Sequence, residues 1–104
     1  DEERPAAAII SDFPDSIKVG NTHELKVDFV LENSCGAFER FDETVSDKAY
    51  DIQLVTRYSG CNCNLEFEEA EAYYTINIDY PGVYELNFWQ ADGDYDTRTV
   101  TIFE

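Results

Sequence analysis

The chain has 104 residues, which is enough for one domain with a single hydrophobic core. Its 7 basic and 23 acidic residues give a formal net charge of −16, so its surface repels phosphate backbones and anionic headgroups, and we expect no nucleic-acid partner. Hydrophobic residues make up 43%, too many for a disordered chain, and the abundant Tyr, Phe, Thr, Val and Ile favour strands over helices.

The first twelve residues are charged and then rich in alanine, without a clear period. We interpret residues 1–12 as a linker that runs into an edge segment near residues 8–10, and we place the domain proper at residues 13–104. Residues 14–22 indicate a short strand closed by a Gly-Asn turn. Because the chain opens on acidic residues with neither Met nor a signal peptide, we expect that a targeting segment has been removed.

The clearest pattern in the chain is strict alternation over residues 24–31. Apolar side chains occupy every second position, and the intervening positions are mostly charged. A period of two with one apolar face predicts an antiparallel strand that lies on a core. The residues on the apolar face are Leu25, Val27, Phe29 and Leu31.

The middle of the chain is less regular. Residues 32–47 predict a long polar connection, and residues 50–58 predict the next strand. Residues 64–72 leave two alternatives open, which are one helical turn or a ragged strand with Leu65 and Phe67 inward.

Three further strands are predicted at residues 73–79, 83–90 and 97–103. A Pro-Gly turn precedes the second of them, and a hairpin turn at residues 91–94 follows it. Six or seven short strands with a turn about every ten residues predict an all-β fold, a two-sheet antiparallel β-sandwich. The residues expected inward in these three strands are Tyr74, Ile76, Ile78, Tyr84, Leu86, Phe88, Val100 and Ile102.

The three cysteines, Cys35, Cys61 and Cys63, lie among turn-forming Asn, Ser and Gly residues. Cysteines in the loops of a small β domain indicate a disulfide and an oxidising compartment. We predict a bridge from Cys35 to either Cys61 or Cys63, and a strained Cys61–Cys63 bridge is the alternative. With His23 these residues could instead hold zinc or copper, although Cys-x-Cys is not the spacing of structural zinc sites.

Two segments resemble the immunoglobulin-like domains of bacteria. One is residues 14–20 (PDSIKVG) followed by the alternating strand, and the other is residues 79–86 (DYPGVYEL), which is similar to a tyrosine corner. The resemblance implies an immunoglobulin-like antiparallel β-sandwich in which the Tyr84 hydroxyl bonds to backbone within residues 79–81. Leu86 stands where an antibody domain has its inter-sheet cysteine, so we expect no disulfide of that type.

Three motifs carry a more specific resemblance. They are residues 33–41 (NSCGAFERF), residues 58–63 (YSGCNC) and residues 81–88 (PGVYELNF). Together they resemble a family of small uncharacterised lipoproteins of Gram-negative gut bacteria, over about residues 14–103. The resemblance implies export to the periplasm, the outer membrane or the cell surface, with membrane contact only through a lipid anchor attached upstream of Asp1. It implies no catalytic activity.

Asp92, Asp94 and Asp96 are spaced like the first carboxylates of a calcium loop. The pattern then fails, because Thr97 stands at the sixth position, where glycine is needed, and Phe103 at the twelfth, where glutamate is needed. We therefore interpret the segment as a hairpin turn with solvated acids and predict no cofactor. Calcium is the alternative ligand.

Four aromatic residues are candidates for a binding surface. In the strand predicted at residues 83–90, alternation places Trp89 on the face expected to be exposed. With Phe38, Phe41 and Tyr95 it could form a platform for a sugar ring or a partner protein. In the alternative interpretation, Trp89 caps the end of the sandwich and the two phenylalanines hold the long loop down.

No nucleophile motif accompanies the single histidine, His23, so we expect that the chain is not an enzyme. The sequence favours an exported surface or periplasmic module that binds a protein or a glycan. The alternative is an acidic domain that binds cations or serves as a structural spacer.

Overall fold

The computed structural model describes residues 1–60 and 62–104, which form eight strands and no helix. The all-β prediction is confirmed, but the predicted count of six or seven strands is too low. The strands are β1 (Glu2–Ala6), β2 (Ser16–Lys18), β3 (His23–Leu31), β4 (Gly36–Ser46), β5 (Ala49–Tyr58), β6 (Glu68–Ile76), β7 (Gly82–Ala91) and β8 (Asp94–Phe103).

The strands form two sheets of very different size. The larger sheet has six strands in the order β1-β5-β7-β8-β2, with β4 on the other edge of β5, and the smaller sheet is the pair β3-β6. One side of β5 pairs with β4, while its other side pairs with β7 at residues 49–52 and with β1 at residues 54–58. This change of neighbour along one strand curls the larger sheet.

Two of the strand pairs are parallel, which corrects the expectation of a wholly antiparallel fold. β2 runs parallel to β8, and β5 runs parallel to β7. Parallel neighbours cannot be joined by a hairpin and need a crossover connection. After β5 the chain crosses to the smaller sheet as β6 and returns to the larger sheet as β7.

The hydrophobic core lies between the two sheets and follows the predicted alternation. Every residue expected inward in β3, β7 and β8 is buried, so these strand faces are confirmed. The strand predicted at residues 73–79 overlaps β6, which begins five residues earlier and ends at Ile76, and the residues expected inward there are also buried. The most enclosed large side chains are Phe29, Phe88, Leu25, Ile52, Leu54 and Leu86.

Residues 1–12 are more than a linker, because they contain β1 and an isolated backbone bridge between Ile9 and Asp28. β1 is held by polar contacts rather than by an apolar face. The Arg4 guanidinium lies 4.8 Å from the centre of the Tyr58 ring, and Glu3 accepts hydrogen bonds from arginines on β4 and β5. An edge strand of this kind has no hydrophobic period to reveal it in the sequence.

The long polar connection expected at residues 32–47 is wrong, since most of it is strand β4. β4 is an edge strand whose 11 residues are all exposed or half-buried, so it lacks the alternation by which a strand is recognised. A bulge between Phe38 and Arg40 also shifts its register against β5. The turn into β5 places Asp47 at a φ of 55°, a left-handed conformation that aspartate tolerates.

Residues 64–72 form neither a helical turn nor a strand with Leu65 and Phe67 inward. The strand begins only at Glu68, and Leu65 and Phe67 are 89% and 79% exposed. Alanines at positions 70 and 72 supply the inward contacts at the start of β6 instead. The segment before β6 is therefore an extended connection with its apolar side chains in solvent.

The tyrosine corner prediction is confirmed. Tyr84 is buried, and its hydroxyl donates a hydrogen bond of 2.9 Å to the backbone carbonyl of Tyr80. A buried phenol needs such a partner, and here the bond fixes the turn that precedes β7.

Candidate functional site

A disulfide joins Cys35, in the turn between β3 and β4, to Cys63, in the connection between β5 and β6, with the Cα atoms 5.5 Å apart. This confirms the predicted bridge and identifies Cys63 as the partner of Cys35, so a Cys61–Cys63 bridge is excluded. The remaining cysteine, Cys61, lies outside the described residues. Oxidised sulfurs are not thiolate ligands, so the bridged protein cannot hold zinc or copper through both Cys35 and Cys63.

Hydrogen bonds reinforce the same junction. The Asn64 backbone N–H donates to the Ser34 hydroxyl at 2.8 Å, and the Ser34 N–H donates to the Asn64 carbonyl at 3.1 Å. The Cys35 N–H donates to the Asn33 side chain at 2.9 Å, and its carbonyl accepts from the Ser59 N–H at 3.2 Å. The connection that leads to β6 is therefore fixed at its base by one covalent bond and several polar ones.

Leu65 and Phe67, which we call the apolar tip, project from this fixed base. They are the two most exposed large hydrophobic side chains among the described residues. Their spacing of two places them on one side of an extended segment. Single exposed apolar residues are ordinary, but a pair beside a covalently held loop base forms a preorganised contact surface.

The surroundings of the apolar tip are acidic. Glu66, Glu68 and Glu69 are all exposed, and none of them forms an ion pair with another described residue. These charges keep the tip hydrated and give its surroundings a negative potential.

Five of the seven basic side chains form ion pairs with described residues, and two of them, Arg40 and Arg57, share one network on the larger sheet. Arg40 on β4 makes two hydrogen bonds of 2.9 Å to Glu3 on β1, while Arg57 on β5 binds Glu3 at 2.9 Å and Glu39 at 2.8 Å. The hydrogen bond from Arg40 lowers the pKa of Glu3, and the one from Arg57 lowers the pKa of Glu39. The network joins three neighbouring strands and leaves little free positive charge for a ligand.

The four aromatic candidates occupy two separate places. Phe38 and Phe41, with ring centres 5.1 Å apart, continue an aromatic series through Phe29 and Tyr74 into the core. Trp89 lies opposite Tyr95 across β7 and β8 and follows a core residue, so it alternates to the other face of the sheet. The structure therefore does not assemble the four residues into one platform.

The three aspartates of the β7–β8 hairpin are not equivalent. Asp96 accepts hydrogen bonds of 2.9 and 3.0 Å from Arg98, whereas Asp92 and Asp94 are exposed at the turn around Gly93. The hairpin turn is confirmed. Within the described residues no group of three or more His, Cys, Asp or Glu side chains is placed to hold a metal ion.

Two concavities stand out. One, of about 510 Å³, lies along the smaller sheet, where Lys26 already forms ion pairs with Asp28 and Glu71. The other, of about 330 Å³, lies between β4 and β6, where the Tyr74 hydroxyl donates a hydrogen bond to Glu43. Burial and this hydrogen bond raise the pKa of Tyr74 well above its ordinary value.

The sequence analysis missed the apolar tip, Glu43 and Tyr74 as site residues. The sequence leaves residues 64–72 open between one helical turn and a strand with Leu65 and Phe67 inward, and it predicts a long polar connection around Glu43. The available signal was the spacing of Phe41, Glu43 and Val45, which places three side chains on the inner face of a strand. The glutamate in the middle of that series concealed the pattern.

No described segment is a helix long and apolar enough to cross a membrane. Comparisons of the chain with protein-family models, with curated proteins and with solved structures found no match, so the function is inferred from the geometry of this molecule.

Proposed function

We propose that this chain is an exported, immunoglobulin-like module that binds a protein partner through the apolar tip. The observation that carries the proposal is the exposure of Leu65 and Phe67, 89% and 79%, on a connection held by the Cys35–Cys63 bridge. Two facing sheets, a tyrosine corner and connections that cross between the sheets support the immunoglobulin-like assignment.

The tip is large enough to matter energetically. Complete burial of a leucine or phenylalanine side chain contributes roughly 1.5–3 kcal/mol, so the two together contribute roughly 3–6 kcal/mol. At about 1.4 kcal/mol for each factor of ten in affinity, this corresponds to a gain of roughly 10²- to 10⁴-fold. Little of that gain is lost to ordering, because the base of the segment is already fixed.

A protein is favoured over a glycan because the exposed side chains at the tip are an aliphatic residue and a lone aromatic residue. Sugar recognition relies on flat aromatic faces, which here are Trp89 and Tyr95 at a different place in the fold. Export is supported by the disulfide, because such bonds persist in oxidising compartments. A lipid anchor is proposed from the resemblance to the bacterial lipoproteins alone.

The test compares a tip variant with a matched control. Leu65→Ser/Phe67→Ser removes the apolar surface, and Tyr80→Ser/Val83→Ser removes two other exposed apolar side chains, 75% and 61% exposed. Each protein is used to capture partners from a bacterial envelope extract, with quantitative mass spectrometry as the readout. We expect a protein that the native chain and the control retain and the tip variant loses.

Equal retention by the tip variant and the control would contradict the proposal. Both variants should keep the melting temperature of the native chain, since surface substitutions change stability by about 0.5 kcal/mol or less. A calcium titration of the melting temperature addresses the alternative function, because a cation that binds the folded state raises the melting temperature by mass action. Such a rise, abolished by Asp92→Asn/Asp94→Asn, would favour the cation-binding domain.

A further inference from the structure

Two of the long strands, β4 and β6, each have one backbone edge that pairs with no other described strand. β4 pairs only with β5, and β6 pairs only with β3. An unpaired edge presents a row of N–H and C=O groups that can pair with another chain. The two edges face a common gap between the sheets, since the Phe41 and Tyr74 rings, one from each strand, meet at 5.2 Å.

Half of each edge carries features that oppose such pairing. In β4 these are the bulge between Phe38 and Arg40 and the charge of Asp42, and β6 begins with several glutamates. The other halves, residues 43–46 and 73–76, have a regular register and only one charged residue, Glu43. Pairing with an incoming strand is therefore opposed at one end of the gap and unopposed at the other, along residues 43–46 and 73–76, which we call the open halves.

The open halves border the concavity of about 330 Å³, which we call the edge cleft. Its floor includes Tyr50, Ile76, Ile78 and Leu86, all side chains of the core or packed against it. Its volume lies at the lower end of the range for ligand pockets, which suits a short row of side chains better than a large ligand.

The edge cleft exists because the smaller sheet is too narrow. Two strands cannot cover the inner face of a six-stranded sheet. Val45 shows the consequence, because it lies on the same strand face as Phe41 and yet is 51% exposed. A third strand added to the free edge of β6 would extend the smaller sheet over Val45 and Tyr50.

We propose that the edge cleft binds an extended segment of another protein, which pairs with β6 at residues 73–76 and places alternate apolar side chains over Val45. This inference rests on the proposed function in so far as both assume a protein partner, but it concerns a different surface. Strand addition obtains affinity from backbone hydrogen bonds and specificity from alternate side chains.

Charge identifies the kind of segment. Glu43 is the only charged residue of the open halves, but its carboxylate lies on the inner face with Val45, where it accepts the hydrogen bond from Tyr74. The side chains that alternate with the apolar ones would point to the outer face of the smaller sheet, where the exposed acidic residues are Glu24, Glu69 and Glu71. A second copy of this chain would bring another formal charge of −16, and its own apolar tip is flanked by glutamates. We therefore infer that the segment alternates apolar with basic residues.

The test uses a synthetic seven-residue peptide with blocked ends, in which lysine and valine alternate. The peptide begins and ends with lysine, so its central residue is valine. Two related peptides serve as probes of mechanism: one has glutamate in place of lysine, and one has proline in place of the central valine. Binding to the uniformly ¹⁵N-labelled protein is followed by NMR. We expect shifted amide signals at residues 73–76 and 43–46, and at least tenfold weaker binding of the proline peptide, since proline cannot complete a strand pair.

Variants separate the edge cleft from general charge attraction. Val45→Lys should weaken binding of the valine-lysine peptide at least tenfold, whereas Val83→Lys, at a valine outside the cleft that is 61% exposed against 51% for Val45, should change it less than twofold. Glu24→Gln should reduce the preference for the lysine peptide over the glutamate peptide, because Glu24 lies on the outer face beside Thr75. Leu65→Ser/Phe67→Ser should bind the peptide like the native chain, so the edge cleft can be tested even if the apolar tip has no partner.

Three outcomes would overturn the inference. One is equal binding of the proline peptide, and another is a Val45→Lys protein that binds like Val83→Lys, because either would indicate nonspecific attraction to an acidic surface. The third is self-association of the native chain at high salt that Val45→Lys abolishes, since a second copy would then be the occupant.

Discussion

Removal of the Cys35–Cys63 bridge should destabilise the protein by about 3.5 kcal/mol. The two cysteines are 28 positions apart, and the entropy of closing a loop of this length in the unfolded chain gives that value near room temperature. For a chain of this size the total free energy of unfolding is roughly 5–15 kcal/mol, so the bridge contributes between about a fifth and about two thirds of it. The Ser34–Asn64 hydrogen bonds should survive in the folded variant and keep the loss near the entropic value.

The measurement is urea denaturation of two proteins that both carry Cys61→Ser, which prevents disulfide exchange. One retains the bridge, and the other carries Cys35→Ser/Cys63→Ser. Fluorescence of Trp89, the single tryptophan, reports unfolding. The variant without the bridge should have a lower urea midpoint and a slope changed only by the looser unfolded chain.

Ser34→Ala in the bridged protein is the control for the polar contacts, because it removes only the acceptor of the Asn64 N–H and should cost about 1 kcal/mol. A bridge effect below about 1 kcal/mol would refute the reasoning. It would mean that the unfolded chain is already restrained at this junction, or that the bond strains the native turns. Peptide mass mapping under non-reducing conditions verifies the pairing independently.

Two further predictions concern hydrogen bonds. Tyr84→Phe should lower the free energy of unfolding by about 1 kcal/mol in thermal melts, because it removes the bond to the Tyr80 carbonyl, and an unchanged stability would show that the corner does not need it. Arg57→Gln should lower the melting temperature more at pH 7 than at pH 3. The lowered pKa of Glu39 means that its stabilising pairing is complete above about pH 4.3, the ordinary value, and is lost as the pH falls through the lower value in the folded state. A difference that does not depend on pH would contradict this assignment.

The sequence predicts the central strands well, because burial of one strand face requires an apolar residue at every second position. Leu25, Val27 and Phe29 must all face one core, and all are buried. The corner at Tyr84 and the hairpin turn at Gly93 are predicted from the sequence equally well, since a buried phenol and a tight turn each need specific local residues.

The edge strands could not be predicted in the same way. β1 and β4 are held by backbone pairing with β5 and by the contacts of Arg40 and Arg57 with Glu3, all of which join residues far apart in the chain. For the opposite reason, the position of the apolar tip could not be predicted. Alternation at Leu65 and Phe67 is also typical of a buried strand, but the strand begins only at Glu68 and both side chains lie outside the core.

The parallel pairing of β2 with β8 has a consequence for the order in which the chain folds. Ser16 lies beside Thr101, so β2 cannot pair until β8, the last of the described strands, is present. The β4–β5 and β7–β8 hairpins, whose partners are close in sequence, can form within microseconds. Pairing of β2 with β8 is slower, because closing a long loop lowers the conformational entropy of the chain. Such distant contacts slow folding towards milliseconds or seconds. During synthesis from the N-terminus, the larger sheet therefore stays incomplete until β8 has been made.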